Sequence, residues 1–294
     1  MNILMNNEKK SRLLIVLSLI ALYLIWGSTY LAIKLALQGF PPFMLAGLRF
    51  AAAGLVLYGV LRWHGAPRPS LRQWGAAVLI GSLLLAGGNG GVVYAEQSVA
   101  SGLAALVIAT VPILTVLFAR IWGHQPTRLE WVGLIIGLVG MGILNAQGEL
   151  RANAAGAAIL VFAAASWAFG SVWSKDLPLP AGMMSSATQM LGGGGLLLAI
   201  SAGTGERLVK MPDGVAIAAL FYLFAFGSLV AFSAYLFLLR KVRPALATSY
   251  AYVNPVVALL LGVALAGETV SAYDMLALAV ILFGVVLVTL QKQP

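Results

Sequence analysis

The chain has 294 residues, 61% of them hydrophobic and 9% charged, with 18 Lys and Arg against 9 Asp and Glu and no cysteine. A water-soluble domain carries roughly 45–50% apolar and 25% charged residues, so this composition leaves too little polar surface to cover a soluble core. The missing cysteine excludes disulfides and thiolate metal sites. The net charge of +9 would suit nucleic acid only on an exposed basic domain, and the apolar stretches leave no room for one.

About 20 apolar residues cross the hydrocarbon core as a helix. Stretches of that length follow one another at 13–35, 42–62, 73–94, 101–121, 128–146, 154–174, 181–202, 213–239, 245–267 and 272–291. Runs such as Leu13 to Leu22 and Val257 to Leu265 lack the two-residue alternation of a membrane barrel strand. The sequence therefore predicts an all-α integral membrane protein of ten transmembrane helices, with residues 1–12 as a cytoplasmic N-terminal segment. The cations before the first apolar run suit a secretory signal. That run continues through Trp26 and Tyr30 to Leu35 without a convincing small-residue cleavage site, so it reads as a retained helix. With the amino terminus inside, 13 cations fall on the cytoplasmic side and only Arg151, Arg207 and Lys210 outside. This positive-inside pattern puts both termini in the cytoplasm.

In chain order, the first helix carries Tyr23, Trp26, Gly27, Tyr30 and Lys34 on one stripe. Lys34 lies near its outer end, where snorkelling accounts for it as well as substrate attraction does. Arg49 sits about seven residues into the second helix, or ~10 Å at 1.5 Å per residue. A buried guanidinium there needs acceptors: Glu96, beyond the third helix, as a tether, or else a substrate carboxylate. The third helix has Gly87-Gly88-Asn89-Gly90-Gly91 followed by Tyr94. Each helical glycine costs about 1 kcal/mol relative to alanine, so the run marks either close packing or a hinge at Gly90 whose carbonyls and Asn89 face substrate. Pro112 follows Thr110 in the fourth helix, and Pro255 follows Ser249, Tyr250, Tyr252 and Asn254 in the ninth. Each proline deprives the carbonyl four residues earlier of its partner. Gly133 and Gly137 in the fifth helix have the spacing of a dimer motif, read here as internal packing. The sixth offers Ser166, Trp167, Phe169, Gly170, Ser171, Trp173 and Ser174, a cavity wall, a packing face or part of a headgroup-level aromatic belt.

These landmarks repeat. Pro112 in Ala-Thr-Val-Pro-Ile returns as Pro255 in Tyr-Val-Asn-Pro-Val, and Trp26-Gly27-Ser28 as Phe169-Gly170-Ser171, each 143 residues on. Gly81-Ser82-Leu83 returns as Gly227-Ser228-Leu229, and Gly123, Glu130 and Gly140 return as Gly267, Asp274 and Gly284. Five crossings per copy place the second copy upside down, so residues 13–146 and 154–291 are expected to form two inverted five-helix repeats around a central cavity. Interrupted helices at matching places in inverted repeats point to a transport site worked by alternating access.

Trp26-Gly27-Ser28-Thr29-Tyr30 with Lys34, Pro41-Pro42-Phe43 with Leu48-Arg49-Phe50, Ala104 to Pro112, and Asn254-Pro255-Val256 through Leu261-Gly262 to Gly267-Glu268 carry a family likeness. In this topology the chain resembles, over nearly its whole length, the ten-helix drug/metabolite transporter superfamily in its EamA-type branch. Its length and aromatic-rich spans are most similar to the YddG-type amino-acid exporters. The resemblance implies a basket of ten helices around a central cavity lined by helices 1, 3, 4, 6, 8 and 9. One departure is that the Gly-Glu expected after the fourth helix is Trp122-Gly123-His124-Gln125 here, leaving Glu268 alone to supply that carboxylate.

Catalysis is not expected: there is no His-Glu-x-x-His, no pair of membrane aspartates and no histidine within a span, His64 and His124 lying in cytoplasmic loops. No metal or cofactor is implied. None of the nine acidic residues falls deep within a span, and proton-coupled carriers hold an ionisable relay in the bilayer, so a facilitator is expected. The function expected is export of aromatic or broadly neutral amino acids across the bacterial inner membrane. Its partners are a small-molecule substrate and the lipid bilayer, without nucleic acid, and the chain is expected to act as a monomer. The substrate would meet Trp26, Tyr30, Lys34, Arg49, Asn89, Tyr94, Trp167, Ser171, Tyr250 and Asn254, with Gly90, Pro112 and Pro255 as hinges. A carrier of other metabolites or organic cations is the alternative, since aromatic faces also attract cations. A receptor or scaffold without transport would need neither the repeat nor the matched prolines.

Overall fold

The computed structural model describes residues 2–99, 104, 107–145, 154–266 and 272–289. Every regular element among them is helical. Helix α1 is α-helical over Asn2–Ala21, widens to a π-helix over Leu22–Trp26 and tightens again over Gly27–Ala36; α2 is Pro42–Trp63. Helix α3 runs Leu71–Gly81, π-helical Ser82–Gly90 and Gly91–Ala95. Then come α4 (Val111–Ala119, with a 3-10 turn Arg120–Trp122), α5 (Arg128–Asn145), α6 (Ala154–Trp173) and α7 (Met183–Gly203). Helix α8 joins Gly214–Tyr222, π-helical Leu223–Phe232 and Ser233–Lys241. Helix α9 is Pro244–Thr248 and Tyr250–Ala266 on either side of Ser249, and α10 is Ala272–Thr289. Among the described residues six apolar helices are long enough to cross a membrane: Ser11–Ala36, Pro42–Trp63, Leu71–Ala95, Ala155–Trp173, Met183–Gly203 and Gly214–Lys241. Val111–Trp122 and Met275–Leu287 are shorter apolar helices. Glu149, Arg151, Gly267, Glu268 and Lys292, and most of 101–106, lie outside the described residues.

Local chemistry sets the helix ends. Ser70 and Gln73 close a capping box on α3, and Thr127 and Glu130 exchange the same pair of bonds at the start of α5. Asp213 caps α8 through the Ala216 N–H at 2.8 Å. Helix α2 starts with Pro42 at its first turn. The Phe43 and Met44 N–H groups there donate to the two carboxylate oxygens of Glu206, from the segment after α7, at 3.1 and 2.8 Å. Gly123 ends the α4 turn at φ 79°, a left-handed conformation that favours glycine.

Helix α2 packs on α7, and α5 on α10; α3 packs on α6 as α8 does on α1, and α4 packs on α6 as α9 does on α1. Lipid supplies no hydrophobic drive between such helices, so small residues that admit close backbone approach hold them. At Gly284 of α10 an added Cβ would lie 2.7 Å from the Gly133 carbonyl oxygen and 2.7 Å from the Gly137 nitrogen. The Gly-x-x-x-Gly face of α5 is thus engaged within the chain.

The glycine run of α3 proves to be a packing surface inside a π-helical stretch. Added Cβ atoms at Gly88 and Gly90 would meet Trp167 of α6 at 2.7 Å and Leu197 of α7 at 2.6 Å. The wide π turns of α3 and α8 contain the repeated Ser82-Leu83 and Gly227-Ser228-Leu229. They offer carbonyls to the other half of the chain: Ser166 Oγ donates to Leu83 O at 2.8 Å, and Trp26 Nε1 to Gly227 O at 3.2 Å.

The two prolines differ more than their sequence match predicts. The turn at residues 109–110 falls immediately before Pro112, whereas Pro255 lies inside Tyr250–Ala266 and the break is at Ser249. There the Ser249 N–H bonds to Leu246 O at 3.3 Å and Tyr252 N–H to Ser249 O at 3.1 Å, two tight three-residue bonds that move the interruption toward the start of α9.

Gly284→Ala is expected to destabilise the folded protein by about 1–3 kcal/mol through overpacking. Gly75→Ala, where an added Cβ meets nothing within 4 Å, is expected to be neutral or to stabilise by about 0.5 kcal/mol. Thermal unfolding of both variants in the same detergent checks the contrast.

Candidate functional site

Between the two halves lies a chamber of about 80 Å³ lined from α1, α2, α3, α6, α8 and α9 and from residues 108 and 111. Ligand sites for small molecules measure roughly 300–1,000 Å³. In this conformation the chamber therefore has room for a few waters and none for an organic solute.

One end is closed by aromatic rings. Trp26 stands 5.5 Å from Trp167 and 4.7 Å from Tyr250, and Tyr235 lies 5.2 Å from Trp167 and 5.6 Å from Tyr250, centroid to centroid. A closed ring of hydrogen bonds ties Trp167 to Tyr235. Ser171 Oγ donates to the Trp167 carbonyl at 2.6 Å, so the Tyr235 hydroxyl donates to Ser171 Oγ at 2.6 Å and accepts from Trp167 Nε1 at 2.9 Å. Tyr235 is completely buried, and a buried polar group is tolerated when its hydrogen bonds are made. Toward the end where α1 begins and α8 finishes, Ser249 Oγ donates to Leu246 O, so the Tyr23 hydroxyl donates to Ser249 at 2.7 Å. Beyond them Arg243 pairs with Glu130 at 3.2 Å, the Glu130 side chain being only 1% exposed. Three layers thus seal that end.

The opposite end holds charge without full pairing. Arg49 is buried, donates through Nη2 to Asn89 Oδ1 and lies with its guanidinium carbon 4.3 Å from the Phe50 ring centroid. Its Nε has no hydrogen-bond partner among the described residues, nor has the buried Asn254 Oδ1. Glu96 is the first residue beyond the apolar span Leu71–Ala95 and falls on the helical stripe of Asn89 and Val92. Its Oε1 is shielded and unpartnered among the described residues. Burial pushes the Glu96 carboxyl up to about 8, against the opposing pull of Arg49 and then of Lys34. The expected Arg49–Glu96 tether is not formed; Asn89, closer along α3, takes the guanidinium instead.

Trp26, Tyr30, Arg49, Asn89, Trp167, Tyr250 and Asn254 line the chamber. The other three expected residues lie elsewhere. Lys34 is exposed, turned about 100° from Ile33, which does line the chamber. Tyr94 is exposed and stacks on Phe43 at 5.2 Å, in a separate surface depression with Gln97 and Glu206. Ser171 is completely buried behind the wall, in the hydrogen-bonded ring. Of the expected hinges, Pro112 and Pro255 adjoin the lining residues Val111 and Asn254, while Gly90 faces Leu197. Sequence reasoning missed Thr29, Phe50, Phe232 and Tyr235. The offset that matches Gly81 to Gly227 also matches Asn89 to Tyr235, and that correspondence would have found the tyrosine.

Tyr235→Phe deletes a hydroxyl that Trp167 and Ser171 both use. It is expected to cost about 1–3 kcal/mol of stability, because it strands a buried indole N–H. A lowered unfolding temperature and a shift in tryptophan fluorescence check this.

The EamA-like transporter family matches residues 13–146 and again 154–290. The uncharacterized inner membrane transporter YedA of Escherichia coli is 51% identical over 276 residues, covering 94% of this chain and 90% of YedA. The uncharacterized transporter YdfC of Bacillus subtilis is 24% identical over 89% of this chain and 86% of its own. Protein PecM of Dickeya dadantii is 26% identical over 81% and 80%. A solved crystal structure at 23% identity shares the fold with a TM-score of 0.78 over 94% of this chain and 96% of that one. Two matches to one family across nearly all of the sequence, on an all-helical apolar fold, make the chain a member of the EamA-like transporter family of the drug/metabolite transporter superfamily, a membrane transporter and not an enzyme.

Proposed function

We propose that the protein exports amino acids with aromatic or other neutral side chains across the bacterial inner membrane, by alternating access between two inverted five-helix repeats of a ten-helix bundle. The location follows from the 51% identity to YedA, an inner membrane transporter. The division into two equivalent repeats draws support from the helix pairings. Exchanging the halves maps α2–α7 and α5–α10 onto themselves, α3–α6 onto α8–α1, and α4–α6 onto α9–α1.

The observation that carries the substrate class is Arg49, a buried guanidinium on the chamber wall with an unused donor and no carboxylate paired to it among the described residues. An unpaired buried charge is costly, and a substrate carboxylate that accepts from the guanidinium removes that cost. Asn254 Oδ1 offers an acceptor for an ammonium group, and Trp26, Tyr30, Trp167 and Tyr250 offer faces for an apolar or aromatic side chain. Admitting such a molecule from the cytoplasm requires parting the Tyr23–Ser249 and Arg243–Glu130 contacts and withdrawing the aromatic rings. Pro112, Pro255 and the α3 glycines are the places where α4, α9 and α3 would bend. An organic-cation carrier fits less well, because the charged side chain on the chamber wall, Arg49, is itself a cation.

Purified protein in liposomes should exchange labelled phenylalanine, with 3-phenylpropionate, which keeps the carboxylate, competing about tenfold better than phenethylamine, which lacks it. Arg49→Lys should weaken exchange by at least about tenfold, since an ammonium cannot reproduce the planar fork. Equal competition by phenethylamine would overturn the carboxylate assignment.

A further inference from the structure

We propose that Glu96 is the proton-exchanging group of this transporter: its carboxylate receives the ammonium of the zwitterion whose carboxylate Arg49 holds, and binds a proton when that ammonium departs. This rests on the amino-acid reading and adds to it a coupling ion and a second charge contact. Two polar atoms of opposite character, Arg49 Nε on the chamber wall and Glu96 Oε1 one helical turn beyond the lining residue Val92, have no partner among the described residues. An α-amino acid carries a carboxylate and an ammonium on one carbon and so presents one charge to each of two such groups.

The surroundings of Glu96 contain little else that is charged. From α1 it feels Tyr30 and Lys34 and from α2 Arg49. Its own helix contributes Asn89 and the exposed Tyr94, and the neighbouring face of α6 is apolar, with Ile159 and Leu160 beside Val92 and Ala95. A carboxylate there is short of water and of hydrogen-bond donors, so it holds a proton until a cation replaces it. Its raised pKa of about 8 places this exchange in the physiological range.

The balance is simple. When the zwitterion binds, the Glu96 O–H bond breaks, the proton leaves to the solvent of the open side, and the ammonium takes its place. When the zwitterion leaves, a proton from the solvent re-forms the bond. One proton therefore moves inward for each amino acid exported. The expectation of a facilitator came from acids lying outside the spans. The chamber wall follows α3 as far as Val92, however, so an acid one helical turn farther on lies within reach of the charge on that wall.

The test uses the full chain in liposomes containing phenylalanine and a trapped pH indicator. Wild-type protein should take up one proton per phenylalanine released, with exchange that depends on pH between about 6 and 9. Glu96→Gln should abolish the proton movement and flatten that profile, and Glu96→Asp should restore both in part. A substrate-free readout accompanies this: difference infrared spectra should contain a protonated carboxyl band that disappears over the same pH interval and is missing from Glu96→Gln. Phenylalanine release without proton uptake, or unchanged coupling in Glu96→Gln, overturns the proposal and leaves the amino-acid reading standing. Failure to move phenylalanine at all overturns the substrate reading, and the infrared titration then decides proton binding at Glu96 by itself.

Discussion

In hydrocarbon every backbone polar group needs a partner within the protein, and this fold uses that requirement to join its two halves. The π turns of α3 and α8 tilt carbonyls away from the helix ladder, where lipid could not satisfy them. Side chains from across the molecule do so instead, Ser166 at Leu83 and Trp26 at Gly227. Both donors belong to helices that line the chamber or flank it, so the bonds that complete the backbone also bring α1 and α6 to the centre. The glycines around the first π turn then allow Trp167 to lie directly against α3.

The chamber that results is chemically lopsided. One end is an aromatic plug in which Trp167, Tyr235 and Ser171 close a ring of hydrogen bonds and the Trp26 indole N–H donates to Gly227 O. The other holds Arg49, Asn89, Asn254 and Glu96, with acceptors and donors left over. Satisfied polar groups rigidify and unsatisfied ones wait for a partner. The division therefore separates what excludes water from what can recognise a solute, and it does so along the bundle axis.

Much of this was legible in the residues. Helical spans follow from apolar length alone, and seven chamber residues followed from stripes and repeats, since Trp26, Tyr30 and Trp167 obey helical periodicity and Asn89 and Asn254 mark broken or glycine-rich stretches. What failed was finer than the helical step. Lys34 and Tyr94 each sit one or two residues off the correct face, and at about 100° per residue that is enough to point them elsewhere. Ser171 and Tyr235 could not be assigned because a hydroxyl that binds substrate and one that closes an internal ring look alike until their partners are known. Pro255 was expected to break α9, yet the tight turn at Ser249 does so earlier. The Arg49–Glu96 tether was plausible by charge, but Asn89 is nearer.

Glu206 reaches from the segment after α7 to hold both free N–H groups at the start of α2, while Gly54 and Gly194 let the two backbones touch along their length. The pair is thereby clamped at its tip as well as along its seam, and α5 with α10 forms a similar post through Gly284. Bending either post would tear apart main-chain contacts that have no slack. In the proposed transport cycle these two stanchions are the parts that yield least, and Arg49, mounted on one of them, serves as a fixed point for the helices that move.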